Sequence, residues 1–221
     1  VRQLNSYGVQ PDIIIARSKA VLDHKRKEKL AIWCNVRPEH VISAPDIQSI
    51  YDVPLNFEKD RLGSLVLRNL KLRPKRNRGD LRAWRRFVRR SKGASREISI
   101  AIIGKYFDTG DFVLSDAYIS VIEAIKISAF TISARPKLTW INSKDIENGR
   151  MRLSSLKKFD GVIVPGGFGG SGIEGKIRVI EYARKNKIPC FGLCYGMQLM
   201  VVEYARNVLG LKGAHTTEID P

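Results

Sequence analysis

From Glu97 onward the chain alternates β-branched apolar runs with segments whose apolar residues recur at helical spacing, and no other feature restricts its fold as much. ISIAIIG, KLTWINS, GVIVPGG and IPCFGL read as four strands of the kind a doubly covered parallel sheet needs. Between and after them, LSDAYISVIEAIKISAF, GKIRVIEYARKN and YGMQLMVVEYARNVLG repeat apolar residues with helical period. Strands separated by helices imply βαβ units, right-handed crossovers and an open parallel sheet, an α/β fold that binds ligands at the carboxyl ends of its strands. With 221 residues and 43% hydrophobic content, the chain can build one large core or two modest ones.

Residues 1–56 contain a strand-like run, PDIIIARS, and a Lys-rich helical stretch, AVLDHKRKEKLAIWCNV. EHVISAPDIQSIYDVP follows, where Pro45 and Pro54 break any long element. This section reads as the tail of an α/β domain, and residues 97–221 as a second unit. Residues 57–96 read as a basic connector, with RPKRNRGD and SKGASR as turn or linker chemistry. Between Lys59 and Glu97, fifteen Lys or Arg face three acids, so this segment carries most of the formal net charge of +17. Such a charge is a nucleic-acid signature, and RAWRRFVRR interleaves Trp84 and Phe87 with arginines as a phosphate-binding, base-stacking module would. Leu81, Trp84, Phe87 and Val88 also share one helical face, the pattern of an amphipathic helix packed on a neighbour with Arg85, Arg86, Arg89 and Arg90 in water.

The start, VRQLNSYGVQPD, has no apolar h-region, and residues 188–202 are too short and too interrupted by Pro189, Gly192 and Gly196 to span a membrane. The missing initiator Met suggests a fragment. Cys34, Cys190 and Cys194 form no even-numbered framework and show no metal spacing, and the three histidines are isolated, which fits a reduced, cytoplasmic chain without a zinc site.

Two strand ends carry unusual chemistry. VPGGFGGSGIEGK contains G-x-G-x-x-G at Gly167, Gly169 and Gly172, but Pro165 precedes it and it follows the third strand, not the first, as a dinucleotide fingerprint would. Ile177 after Lys176 excludes a Walker A loop. Bare backbone here lets NH groups approach a ligand closely, as an anion pocket or oxyanion hole requires. In FGLCYGMQL a strand ends at Leu193, Cys194 takes the turn, and Gly196 opens an apolar helix, which is the arrangement of a nucleophile elbow with cysteine for serine. Gly192 and Gly196 matter because Cβ atoms would collide in so tight a turn. The helix N-terminus favours thiolate over thiol at such a position. Cys190, inside the strand, reads as a core residue.

PGGFG followed by GLCYGMQ resembles the class I glutamine amidotransferases, whose pattern is G-x-C-x-G-x-Q. GVQPDIIIARS, CNV, SIYDVP, IGKY, DAYISVIEA, VPGGFG, GIEG, IPCFGLCYGMQ and TTE follow one another as in the CTP synthase family. The resemblance covers nearly the whole chain, least in the basic connector. It implies a flavodoxin-like class I glutaminase domain, preceded by the tail of a P-loop-like amidoligase domain. It also implies an activity: ATP with Mg2+ phosphorylates the 4-oxygen of UTP, glutamine is hydrolysed to ammonia through a cysteine thioester, and ammonia displaces the phosphate to give CTP.

By position the resemblance makes Cys194 the nucleophile and the NH groups of Gly167 and Tyr195 the oxyanion hole, on the order of 3 kcal/mol of barrier per donor. Gln198 and Glu218 would hold glutamine, Glu218 reading its ammonium group. Arg2 matches a basic position that binds the uridine nucleotide, and Ala20 ends a segment, ARSKA, matched to the ATP base. In the lid, Gly172 and Glu174 match residues of a GTP-activation contact, while Ser171 stands where the family usually has Arg. The resemblance further implies a homotetramer, no membrane partner, and a catalytic His and Glu far downstream of the cysteine, so that His215 is a bystander, as are His24 and His40. No metal ligand is expected in this chain. Readings that stay open are an inert fragment, a basic nucleic-acid-binding module, and a protease-like cysteine hydrolase, although such proteins commonly carry His where Tyr195 stands.

Overall fold

In the computed structural model, which describes residues 1–73, 81–104, 118–167 and 171–218, every strand pairing is parallel. The chain divides into two units, Val1–Arg89 and Arg90–Pro221.

The first unit opens with helix α1 (Arg2–Ser6) and then a βαβ motif: β1 (Ile14–Ser18), α2 (His24–Cys34) and β2 (Val41–Pro45). Asp23 caps α2 by accepting the Arg26 NH, and Asn35 ends it in the left-handed region at φ 53°. Pro45 stands at the last position of β2, where its missing NH breaks no continuing ladder. Helices α3 (Val53–Lys59), α4 (Leu62–Asn69) and α5 (Arg82–Gly93) follow. Within 57–96, read from the sequence as connector, Asp60, Trp84 and Phe87 make specific contacts with this unit. Asp60 accepts the Ser43 NH of β2 at 2.8 Å and pairs with Lys27 at 2.7 Å. Trp84 Nε1 donates to the Tyr51 carbonyl at 2.9 Å, and Tyr51 meets the Phe87 ring edge-on at 5.2 Å. Val88 is buried while Arg85, Arg86 and Arg89 are exposed, so the amphipathic reading holds and the two aromatic faces are already committed. Most of RPKRNRGD lies outside the described residues.

The second unit contains β3 (Arg96–Gly104), α6 (Ile119–Thr131), β4 (Ala134–Asn142), α7 (Ser143–Glu147), β5 (Gly161–Val164), α8 (Ile173–Lys185), β6 (Cys190–Gly192) and α9 (Tyr195–Asn207). The sheet order is β4-β3-β5-β6. The strand order 2-1-3-4 of this unit is flavodoxin-like, with its switch point between β3 and β5. Alternation fills both faces. Ala101, Ile103, Ile141, Val162 and Val164 meet Ile177 and Ile180 of α8 and Leu199 and Val202 of α9. On the opposite face Trp140 lies 6.0 Å from Tyr118 at the start of α6. Glu203 of α9 is 1% exposed and takes a two-pronged ion pair from Arg184 of α8, with N–O distances of 2.7 and 3.0 Å. Burial raises the pKa of that carboxyl, but the hydrogen bonds from Arg184 and Asn207 outweigh it and hold the group below its ordinary range. Burial pushes the Cys190 thiol up to about 11, with Glu203 adding to the shift.

Candidate active site

The Leu193 NH donates to the Val164 carbonyl at 2.9 Å and holds the carboxyl ends of β5 and β6 together. Immediately after, Cys194 adopts φ 52°, ψ −115° and caps α9. This is a strained conformation for a side-chain-bearing residue, costing about 1–3 kcal/mol, and it turns the chain from strand to helix in one residue. The turn closes with Gly196 NH to Leu193 O at 2.9 Å and Met197 NH to Cys194 O at 3.0 Å. A Cβ on Gly196 would stand 1.9 Å from the Val164 carbonyl oxygen, and one on Gly192 would stand 2.6 Å from the Gly196 backbone. Both glycines are therefore required by the packing of helix on strand, as the sequence indicated.

The same elbow exposes the Cys194 side chain and presses it against the glycine turn after β5. A Cβ on Gly166 would lie 3.2 Å from Cys194 Cβ and 3.6 Å from its Sγ. Gly167 has φ 151°, which favours glycine. Gly166, the neighbour of Gly167, thus lies against Cys194, the residue before Tyr195 at the start of α9, at the carboxyl ends of adjacent strands. Gly166 was not singled out from the sequence; its doubling with Gly167 was the signal.

Around this corner lies a polar group. Gln198, in the first turn of α9, donates Nε2–H to Glu218 Oε1 at 2.7 Å and accepts the Thr216 hydroxyl at 2.5 Å. Glu218 NH reaches back to Thr216 Oγ1 at 3.4 Å. Tyr195 buries its ring, with Lys176 Nζ 5.8 Å from the ring centroid. Its hydroxyl has no hydrogen-bond partner among the described residues. Burial first, then Glu218 and Glu174, raise the pKa of that phenol, and Arg206 opposes them. Thr216 and Arg206 were not anticipated, because their partners lie 18 and 32 positions away in sequence.

The other expected residues have partners of their own. Gly172 (φ 77°) caps α8, its Cα facing Ser143 so closely that a Cβ would meet Ser143 Oγ at 2.3 Å. Two residues on, Glu174 pairs with Arg206 Nη1 at 2.9 Å. Gly169 lies outside the described residues. Arg2, in the first unit, lines a cleft of about 530 Å3 with Val1, Trp33 and Cys34. Ala20 follows β1 and accepts the Ser18 hydroxyl at 2.6 Å. His215 Nδ1 accepts the Thr216 NH at 2.9 Å, His24 faces Glu28 at 3.3 Å, and His40 Nδ1 meets the Asp12 carbonyl at 2.8 Å. Among the described residues no group of three His, Cys, Asp or Glu could hold a metal ion, and no helix is long and apolar enough to cross a membrane.

Known proteins share this pattern. Residues 1–72 match the family described as CTP synthase N-terminus, and residues 113–219 match glutamine amidotransferase class-I. CTP synthases of Sulfurisphaera tokodaii and Thermococcus gammatolerans are 49% and 48% identical over all 221 residues, which cover 100% of this chain and 40% of each relative. The chain thus spans 40% of the length of these curated relatives. The structure of the Trypanosoma brucei CTPS glutaminase domain with bound acivicin is 35% identical over 55% of this chain and 45% of that one, with a TM-score of 0.49. With the two family models matched in chain order and near-half identity along its whole length, the chain belongs to the CTP synthase family.

Proposed function

We propose that this chain supplies the glutamine-hydrolysing nucleophile, and part of the nucleotide-binding half, of an enzyme that makes CTP from UTP and ATP with ammonia drawn from glutamine. The observation that carries the reading is the exposed Cys194 at a strained elbow, φ 52°, ψ −115°, pressed on Gly166 at the ends of β5 and β6. A thiol so placed attacks the side-chain amide carbon of glutamine. The carbon–sulfur bond forms, the carbonyl oxygen becomes an oxyanion, and collapse breaks the carbon–nitrogen bond as the nitrogen takes up the proton the thiol gave up, giving a thioester and ammonia. Water then cleaves the thioester to glutamate and restores the thiol. The NH groups of Gly167 and Tyr195 are the oxyanion donors, each contributing about 3 kcal/mol.

Gln198 and Glu218 bind the amino-acid end of the substrate. Glu218 is exposed and spends Oε1 on Gln198, leaving its other oxygen for an ammonium group. None of the three histidines hydrogen-bonds to Cys194 among the described residues. Arg2 and Ala20 are the candidate contacts to UTP and ATP. Gly172 and Glu174 are the candidates for a GTP effect, and a homotetramer in the cytoplasm is the assembly the family suggests. The described residues offer no ligand set for Mg2+. When present, the metal would supply charge neutralisation on the nucleotide phosphates.

The test is Cys194→Ala in the full-length protein. Glutamine-dependent CTP formation is expected to fall at least about a thousandfold while ammonia-dependent formation persists. Loss of both activities, or survival of the glutamine-dependent one, overturns the reading.

A further inference from the structure

The geometry points to Arg206 as a positioning residue for glutamine: by bridging Glu174 and the Ala214 carbonyl, it holds residues 214–218 where Glu218 can read the α-ammonium group of the substrate. The inference rests on the glutaminase reading above and deepens it.

Helix α9 ends at Asn207, and the chain turns back through Gly210 at φ 75°. Leu211 NH donates to the Ala205 carbonyl at 2.9 Å, which fixes the start of the return. The returning segment is then tied to α9 at two places. Near the last turn, Arg206 Nε donates to Ala214 O at 2.6 Å. In the first turn, Gln198 holds Thr216 and Glu218 through bonds of 2.5 and 2.7 Å. Gln198 and Arg206 are eight residues apart, about 12 Å of helix rise, and they meet the returning segment in reverse order, Arg206 at residue 214 and Gln198 at residues 216 and 218. The return therefore runs antiparallel to α9, pinned at both ends.

Arg206 itself is held. Its Nη1 donates to Glu174 at 2.9 Å, and its side chain is 19% exposed. Glu174 sits in the first turn of α8. One guanidinium thus joins the helix after the glycine turn, the helix after Cys194, and the segment bearing Glu218. Tyr195 lies in the same field, since Glu218, Arg206 and Glu174 all act on its phenol. Lys could keep one of the two anchors but not both, because only a guanidinium offers a planar fork of donors.

In the full-length protein, Arg206→Ala is expected to raise KM for glutamine about tenfold or more, because charged hydrogen bonds are lost, with kcat changed much less. Arg206→Lys should recover part of the loss. With 4-carbamoylbutanoate, which has the amide and carboxylate of glutamine but no ammonium group, wild type and Arg206→Ala should show the same KM, since Glu218 then has nothing to read. A general packing defect would weaken both substrates alike, and that result overturns the proposal, as does an unchanged KM for glutamine. If Arg206→Ala does not fold, Glu174→Ala, which removes one anchor, carries the test: a rise in KM for glutamine supports the proposal and an unchanged value overturns it. Cys194→Ala separates the two readings. If glutamine-dependent turnover survives without the thiol, the glutaminase reading fails. If the thiol is essential and Arg206 has no effect on KM, only the positioning role fails.

Discussion

Cys194 can occupy φ 52°, ψ −115° only because its neighbours leave room and closed hydrogen bonds over-determine the turn. Gly196 is the tightest of these constraints. Its substitution by alanine would place a methyl carbon 1.9 Å from the Val164 carbonyl oxygen, a backbone atom that cannot move without disturbing β5. Gly196→Ala is expected to cost about 3 kcal/mol or to prevent folding of the second unit, read as a lowered urea midpoint. An unchanged midpoint would show that helix α9 does not sit on β5 as described. This corner was legible in the sequence because its determinants are local: two glycines flank one cysteine between an apolar run and a helical pattern. Arg206 and Thr216 were not. Their roles arise from partners far along the chain, and no local period or turn signal reports such a pairing.

Elements show the same division between local and long-range information. The runs ISIAIIG and KLTWINS became β3 and β4, and PDIIIARS became β1. VISAP, read only as broken by Pro45, is the strand β2, because a proline at a strand's last residue ends the ladder without weakening it. Helix α7 and the burial of Ser143 against Gly172 and Gly175 carried no periodic signal. Between α8 and α9, the Glu203–Arg184 pair gives a pH prediction. Because the folded carboxyl titrates below its unfolded value of about 4.5, the pair stabilises fully above that value, and the contribution is lost as pH falls through the folded one. Glu203→Gln should therefore be less stable than wild type at pH 7, with the gap closing in acid. Arg184→Ala should also lower stability at pH 7, because it leaves the buried Glu203 carboxylate without its cation. Urea midpoints measured across pH 3 to 7 check both, and a gap independent of pH would sink the assignment.

Across the whole chain, the formal charge of +17 is concentrated where neutralising partners are few. Helix α5 carries Arg82, Arg85, Arg86, Arg89, Arg90 and Lys92 and no acid, and its apolar side is committed to Tyr51 through Trp84 and Phe87. No carboxylate forms an ion pair with Arg85, Arg86 or Arg89 among the described residues, and all three are exposed. From Arg82 to Lys92 the helix rises about 15 Å. At 0.01 M salt the screening length of about 30 Å lets all six cations repel one another, whereas at 0.15 M it falls to about 8 Å and only neighbours interact. Self-repulsion of this kind destabilises the compact state, so added KCl should raise the thermal midpoint of the chain. Replacing Arg85, Arg86 and Arg89 with Gln should raise the midpoint at low salt and flatten its dependence on KCl. At 0.15 M the same substitutions should each change stability by no more than about 0.5 kcal/mol, since exposed side chains without partners contribute little there. Thermal melts at the two salt concentrations decide it: a salt slope unchanged by the triple substitution would mean that the repulsion resides elsewhere on the surface and that α5 tolerates its charge at no cost.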